Sequence, residues 1–362
     1  MRPALPEVAR STPGQLERIA ASVERLSAAE ARLEPGVDSV LRHLARNRLI
    51  DSLAGLEPAG DSSHQMAMAP RRRFLTAEQH ERRRACRSAL VHVDTRLAMI
   101  ELGHFDQLVA DETHMVLHAI IEASDPSETL SNAGLVRATD VGFRDVGVRF
   151  VPPPGDSCGE LLRQLIAQIN SGPRAGFEPL EVAAWATACT MLVHPFVDGN
   201  GRTARALFQL IHSAGLGSFD WVSLEEWALD RGAYVGALQE VSNPSAGGWY
   251  PERMDMTPFL DFVVDRFERG VARRVARLRL LTSIWTAPML DGLDDDARTA
   301  AVVVGVDRNV GSVELEPLID APASEVADEL VERSLAVRDS LGLQPHESLR
   351  TWIDSIAPPV RT

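Results

Sequence analysis

Twelve consecutive residues, His194-Pro195-Phe196-Val197-Asp198-Gly199-Asn200-Gly201-Arg202-Thr203-Ala204-Arg205, bring together a titratable ring, a carboxylate, a Gly-Asn-Gly turn and two guanidinium groups. A neutral imidazole can take a proton from an incoming hydroxyl near pH 7, because its ordinary pKa lies close to the working pH. Asp198 is a hard oxygen ligand suited to Mg²⁺ held against phosphate oxygens. Gly199 and Gly201 permit the backbone conformations that turn successive N–H groups inward, and at the start of a helix those donors form an anion nest. Asn200 can add an amide donor. Arg202 and Arg205, three apart, point along similar directions on the first helical turn and can grip phosphate oxygens bidentately. Nucleotidyl and phosphoryl transfer ask mainly for positioning and charge stabilisation. The segment supplies a base, a metal ligand, a nest and two cations.

The flanking pattern is mostly helical. Residues 16–56 carry Leu26, Leu33, Val40, Leu44 and Leu49 at helical spacing, and Glu57 to Ser63 reads as a loop. Residues 85–124 read as helix up to Asp125-Pro126. Asn132-Ala133-Gly134 opens a turn, Leu135 to Arg137 and Val146 to Phe150 read as two short strands, and Pro152 to Pro154 ends them. Helices are expected over 161–169, 179–193, 203–214 (ended by Gly215), 224–229, 231–241 and 258–281. Beyond Thr286 an acidic run at 291–296, the apolar 300–306 and the stretches 324–333 and 335–343 suggest a small helical or winged-helix-like unit.

Composition narrows the function classes. With 362 residues and 45% hydrophobic content the chain can bury a large core. All 37 basic residues are Arg, which rules out a lysine nucleophile or a phosphate-loop lysine. A net charge of −14 disfavours nucleic-acid binding. Cys86, Cys158 and Cys189 form no metal-spaced cluster, which suits a reducing compartment. No apolar run approaches a membrane span and no leader pattern follows Met1, so the expected setting is cytoplasmic.

The twelve-residue segment resembles, without a mismatch, the Fic signature His-x-Phe-x-(Asp/Glu)-Gly-Asn-Gly-Arg-x-x-Arg. The likeness extends over roughly residues 108–268. It implies a mainly α, Fic-type helical core with a short β-hairpin flap, N-terminal helices and a small C-terminal helical or winged-helix-like unit. The implied division is 1–107, with a candidate inhibitory helix near 40–57; 108–286, with the flap at 131–154 and the motif at 194–205; and 287–362. The implied activity is transfer of AMP from ATP to a Ser, Thr or Tyr hydroxyl of a target protein. In that scheme His194 is the base and Asp198 holds Mg²⁺. Gly199, Asn200, Gly201 and Arg202 bind the α- and β-phosphates, and Arg205 holds the γ-phosphate. Phe196 is a buried anchor, and Tyr234 sits close to the nucleotide. Glycine at 201, where phosphorylating relatives carry lysine, favours nucleotidyl transfer. The flap would position a target segment by strand addition. Glu57, in Ser52-Leu53-Ala54-Gly55-Leu56-Glu57-Pro58, is the nearest candidate for the inhibitory glutamate that pairs with the last arginine in relatives. The serine stands one residue early, and Pro58 replaces the usual Gly or Asn.

Competing readings use the same residues. Other chemistry at the same site would be UMP or GMP transfer, or removal of AMP from a protein. An ATP-sensing adaptor with little turnover is a reading of another class, which the intact His194 disfavours. Asp198 to Asn200 also looks like the start of a calcium loop, but Thr203 and Gln209 occupy positions that should be Gly and Glu. His114 and His118, four apart, read as helix packing rather than a metal pair. Helix 324–333 carries Glu325, Asp328, Glu329 and Glu332 against one Arg, so this unit fits a protein partner or a homodimer mate better than DNA.

Overall fold

The computed structural model describes residues 4–55, 76–122, 133–141, 150–216, 223–241, 249–307, 315–316, 318–339 and 342–356. Its helices are α1 (Pro13–Glu30), α2 (Pro35–Gly55), α3 (Ala77–Glu101), α4 (Thr113–Glu122), α5 (Cys158–Ser171), α6 (Pro179–Val193), α7 (Asn200–Leu216), α8 (Ser223–Leu229), α9 (Arg231–Val241) and α10 (Thr257–Trp285). They are followed by α11 (Asp295–Asp307), α12 (Ala323–Glu332), strands β1 (Ala336–Asp339) and β2 (Gly342–Pro345), and α13 (Glu347–Ile356). Two compact units divide the chain: residues 1–20, 48–68 and 75–270, and residues 21–47, 69–74 and 271–362. No described helix is long and apolar enough to cross a membrane.

The first unit is organised around α6 and α7, its most extensive helix pair. Helix α6 is apolar on every side and almost wholly buried, as a helix covered all round must be. Its start is set by a capping box between Glu178 and Glu181 with Pro179 in the first turn. Helices α3 and α4 pack on α7, and α5 packs on α6. Gly215 lies inside α7 rather than ending it. A Cβ there would fall 2.1 Å from Pro179 Cβ, so the glycine serves the close approach of α7 to the start of α6.

Other expectations need correction. The helical stretch 16–56 is two helices, because Pro35 cannot continue the hydrogen-bond ladder of the preceding turn. The stretch 85–124 is also two, separated by a bend in which Gly103 takes φ +73°. Leu135 to Arg137 forms no strand, and most of the second flap limb (142–149) lies outside the described residues. The Glu57–Ser63 loop lies outside them too.

In the second unit, Glu30 pairs with Arg274 at 2.8 Å, and Gly36 sits against the ring of Trp285. Helix α12 leads into an antiparallel ribbon in which Ala336 faces Pro345 and Asp339 faces Gly342. Residues 335–343 therefore belong mainly to this ribbon, not to a helix, and a helix followed by such a ribbon has the winged-helix pattern. The acids of α12 are partly matched, Glu329 by Arg333 at 3.1 Å and Asp328 by Arg338 at 2.8 Å.

Within the first unit, Trp227 is fully buried among Phe208, Tyr234, Phe259 and Phe262. Trp227→Ala is expected to cost about 3–5 kcal/mol of stability in urea unfolding; a loss below about 1 kcal/mol would show that the cluster collapses around the void. Two buried histidines make stability pH-dependent. Burial pushes His114 down to about 4 and His212 down to about 3. Both rings gain a proton in the unfolded chain as pH falls through about 6.5, and neither gains one in the folded chain until far lower. Stability is thus fully present above pH 6.5 and falls by about 1.4 kcal/mol per pH unit per histidine toward pH 4. Urea unfolding between pH 7 and 5 should show this slope roughly halved in His212→Leu; an unchanged slope would place the effect elsewhere.

Candidate functional site

The site begins where α6 ends. His194 caps that helix in the left-handed conformation (φ 49°, ψ 59°), with its N–H bonded to Thr190 O at 3.1 Å. A side chain other than glycine pays a steric cost of about 1–2 kcal/mol there, so surrounding contacts must hold the turn. Arg137 supplies them. Its Nε donates to His194 O (2.6 Å), its Nη2 to Pro153 O (2.7 Å) and Val193 O (3.1 Å), and its Nη1 to Thr139 O (2.8 Å). Its backbone N–H donates to Pro195 O at 2.8 Å. This guanidinium, 4% exposed, closes the carbonyl end of α6, where the helix dipole favours a cation. Neighbouring Val136 packs on the cluster of Cys158, Leu161 and Val193.

The His194 ring is half-buried, and its Nδ1 faces Met191 O at 3.3 Å. A carbonyl only accepts, so this contact assigns the proton to Nδ1 and the lone pair to Nε2. That is the tautomer a base requires.

The loop after His194 is held from behind by α4. Phe196 is fully buried and stacks on His118, ring centres 3.8 Å apart and 6° from parallel. His118 accepts the Gly134 N–H at Nδ1 (2.9 Å), so its Nε2–H donates to Asp198 O (3.0 Å). Both ring nitrogens are thus engaged by backbone, which fits packing and not metal ligation. Asn200, read as a donor to ligand, binds the Phe196 backbone. Its Oδ1 accepts from Phe196 N and its Nδ2 donates to Phe196 O, both at 2.9 Å. Asp198 is exposed, and its Oδ1 accepts from Gly199 N at 2.7 Å. Gly199 takes φ +72°, and a Cβ there would lie 2.2 Å from Glu122 Oε1. Helix α7 then opens with Asn200, Gly201 and Arg202, whose N–H groups have no carbonyl partner within the helix.

Both arginines are buried, at 2% exposure for Arg202 and 1% for Arg205. Arg202 Nη2 pairs with Glu122 Oε1 at 3.0 Å. Arg205 Nη2 donates to Leu53 O, in the last turn of α2, at 2.7 Å. The C-terminal half of α2 is also tied down by Asp51 with Arg83 and by Arg48 with Glu225 at 3.2 Å. Glu57 itself lies outside the described residues. Tyr234 stands in α9. Its ring is buried among Trp227, Phe259 and Phe262.

Sequence reasoning missed Arg137, Glu122 and the loop-holding role of His118. The available signals were an arginine amid the apolar Leu135-Val136 stretch and the four-residue spacing of His114, His118 and Glu122. Two variants test the clamp. Arg137→Ala strands several carbonyls and should cost about 3 kcal/mol or more. Gly199→Ala combines a left-handed backbone with a clash and should cost about 1–3 kcal/mol. Urea unfolding reads both; wild-type stability in Arg137→Ala would mean that water satisfies those carbonyls.

Residues 111–212 match the model of the Fic/DOC family. Protein adenylyltransferase fic-1 of Caenorhabditis elegans is 30% identical over 174 residues, 48% of this chain and 30% of that protein. Protein adenylyltransferase Fic of Aedes aegypti is 34% identical over 125 residues, 34% of this chain and 22% of that protein. The match therefore spans less than a third of either relative's length. Among solved structures, Fic-1 (residues 134–508) of C. elegans superposes with TM-score 0.55 at 19% identity, covering 73% of each chain. A Fic family protein from Desulfovibrio desulfuricans G20 gives TM-score 0.57 at 17% identity, covering 99% of this chain and 97% of that one. Those two likenesses establish a shared fold. With its signature loop between α6 and α7, the segment 111–212 is a Fic/DOC family domain.

Proposed function

We propose that this chain is a protein adenylyltransferase that moves AMP from ATP to a Ser, Thr or Tyr hydroxyl of another protein. The observation that carries the reading is the left-handed His194, its Nδ1 turned to Met191 O, immediately before a loop that ends in the N-terminus of α7. In the reaction the target hydroxyl attacks the α-phosphorus, His194 Nε2 takes its proton, and pyrophosphate leaves. Gly199, Gly201 and Arg202 cradle the α- and β-phosphates, with Asn200 shaping the loop through Phe196, and Arg205 reaches the γ-phosphate. The adenylyltransferase names of the two relatives favour AMP as the transferred group.

Asp198 fits Mg²⁺, being an exposed carboxylate beside the cradle. Mg²⁺ is bound by one or two carboxylates plus substrate phosphates, not by a full protein cage. When bound there, the ion would draw negative charge off the phosphates. The target docks on the flap side, where Leu135, Val151 and Val197 are exposed apolar residues. Residues 108–286 form the catalytic core in this reading, with 1–107 regulatory and 287–362 an accessory unit.

The same reading makes the end of α2 inhibitory. Arg205 is already engaged by Leu53 O, and Glu57 follows that turn closely in sequence. Glu57 would then compete with the γ-phosphate for Arg205.

Purified protein with Mg²⁺ and a cell extract, offered α-labelled or γ-labelled ATP, tests these roles together. Protein label from α-ATP alone is expected, reduced about 10²–10⁴-fold in His194→Ala and raised in Glu57→Gly. Label from γ-ATP would mean phosphotransfer. Binding of ATP without any label would sink the transferase reading, and unchanged labelling in Glu57→Gly would remove the inhibitory role.

A further inference from the structure

Helix α4 braces the loop from behind with two successive turns. His118 holds the Asp198 carbonyl, and one turn later Glu122 holds Arg202. The Cβ direction of Gly199 runs into both, at 2.2 Å from Glu122 Oε1 and 3.2 Å from His118 Cδ2. Glu122 therefore lies on the core side of the loop, with the stacked His118 and Phe196, and is 6% exposed. An apolar side chain such as its neighbour Ile121 would fill this space without the cost of burying a carboxylate. The charge must therefore be accounted for, and its partner Arg202 is the first guanidinium of the proposed phosphate cradle.

We propose that Glu122 is the positioning residue and resident counter-charge of Arg202, and that it grades the cradle's affinity by the number of phosphate charges a ligand carries. The proposal rests on the nucleotide-transfer reading of this loop. Glu122 orients the guanidinium by a charge-assisted hydrogen bond through Nη2 and offsets its charge in the absence of ligand. A phosphate arriving on the α7 side meets a pair of reduced net charge, so each added anionic group gains less than it would from Arg202 alone. At an effective dielectric of about 20, one unit charge about 10 Å away changes affinity on the order of tenfold. The nucleotide is thereby held less tightly, and pyrophosphate more loosely than AMP relative to an uncompensated cradle.

The test is isothermal titration of the full chain with ATP and AMP at low and high salt, with thermal melting as a check of folding. Glu122→Gln keeps the shape and an acceptor oxygen while removing the charge. It is expected to tighten ATP on the order of tenfold and AMP by a smaller factor, with the gain shrinking in high salt. An ATP affinity equal to or weaker than wild type, or equal tightening of both ligands, overturns the proposal. Should Glu122→Gln fail to fold, Glu122→Asp draws the charge back by one methylene. It should shift the ATP-to-AMP preference in the same direction by less, and an unchanged preference overturns the proposal. Arg202→Ala separates the two levels: if it binds ATP as wild type does, the cradle reading itself fails, whereas dependence on Arg202 without dependence on Glu122 removes only this inference.

Discussion

Between the last turn of α6 and the first turn of α7 the chain reverses within six residues, leaving backbone carbonyls of Val193, His194 and Pro195 to be satisfied away from bulk water. Arg137 meets all three, two through its guanidinium and one through its own N–H. The left-handed backbone of His194 is tolerable because that clamp holds it. Phe196 can then drop onto His118, Asn200 can close on the Phe196 backbone, and α7 starts at Asn200. The ring that would act as base and the helix end that would bind phosphate are thus set by one buried cation.

The site's cations are treated differently from those of an open binding surface. Arg202 and Arg205 are buried and engaged, one by a carboxylate of α4 and the other by a carbonyl of α2. Buried guanidinium groups need partners whether or not ligand is present. The partners chosen here tie the two arginines to two further helices. One of them, α4, also braces the loop backbone. The other, α2, is anchored over its C-terminal half by Asp51 with Arg83 and Arg48 with Glu225.

Several elements were legible in the chain because local rules govern them. Helix α6 reads directly from Pro179 and a mostly apolar run, and the loop from its glycines. Breaks were harder. Pro35 and Gly103 split stretches whose apolar spacing continues across them, and Gly215 looks like a terminator but is needed for contact with Pro179. The flap strands were inferred from short runs between a Gly turn and Pro152 to Pro154, yet 135–137 is held by Arg137 and Val136 against the end of α6. The enclosure of Tyr234 was not legible, because the aromatic residues around it come from α8 and α10.

The sequence by itself determined the identity and order of the groups in the candidate site, because a histidine, a carboxylate, two glycines and two arginines within twelve residues are fixed by covalent connection. It also determined that the scaffold would be helical, since periodicity and caps act over a few residues. Tertiary structure alone decided what each group is coupled to. Arg137 is 57 residues from His194, Glu122 is 80 from Arg202, and Leu53 is 152 from Arg205. No local spacing encodes such pairings; they arise when buried charges and carbonyls must find partners within a packed core.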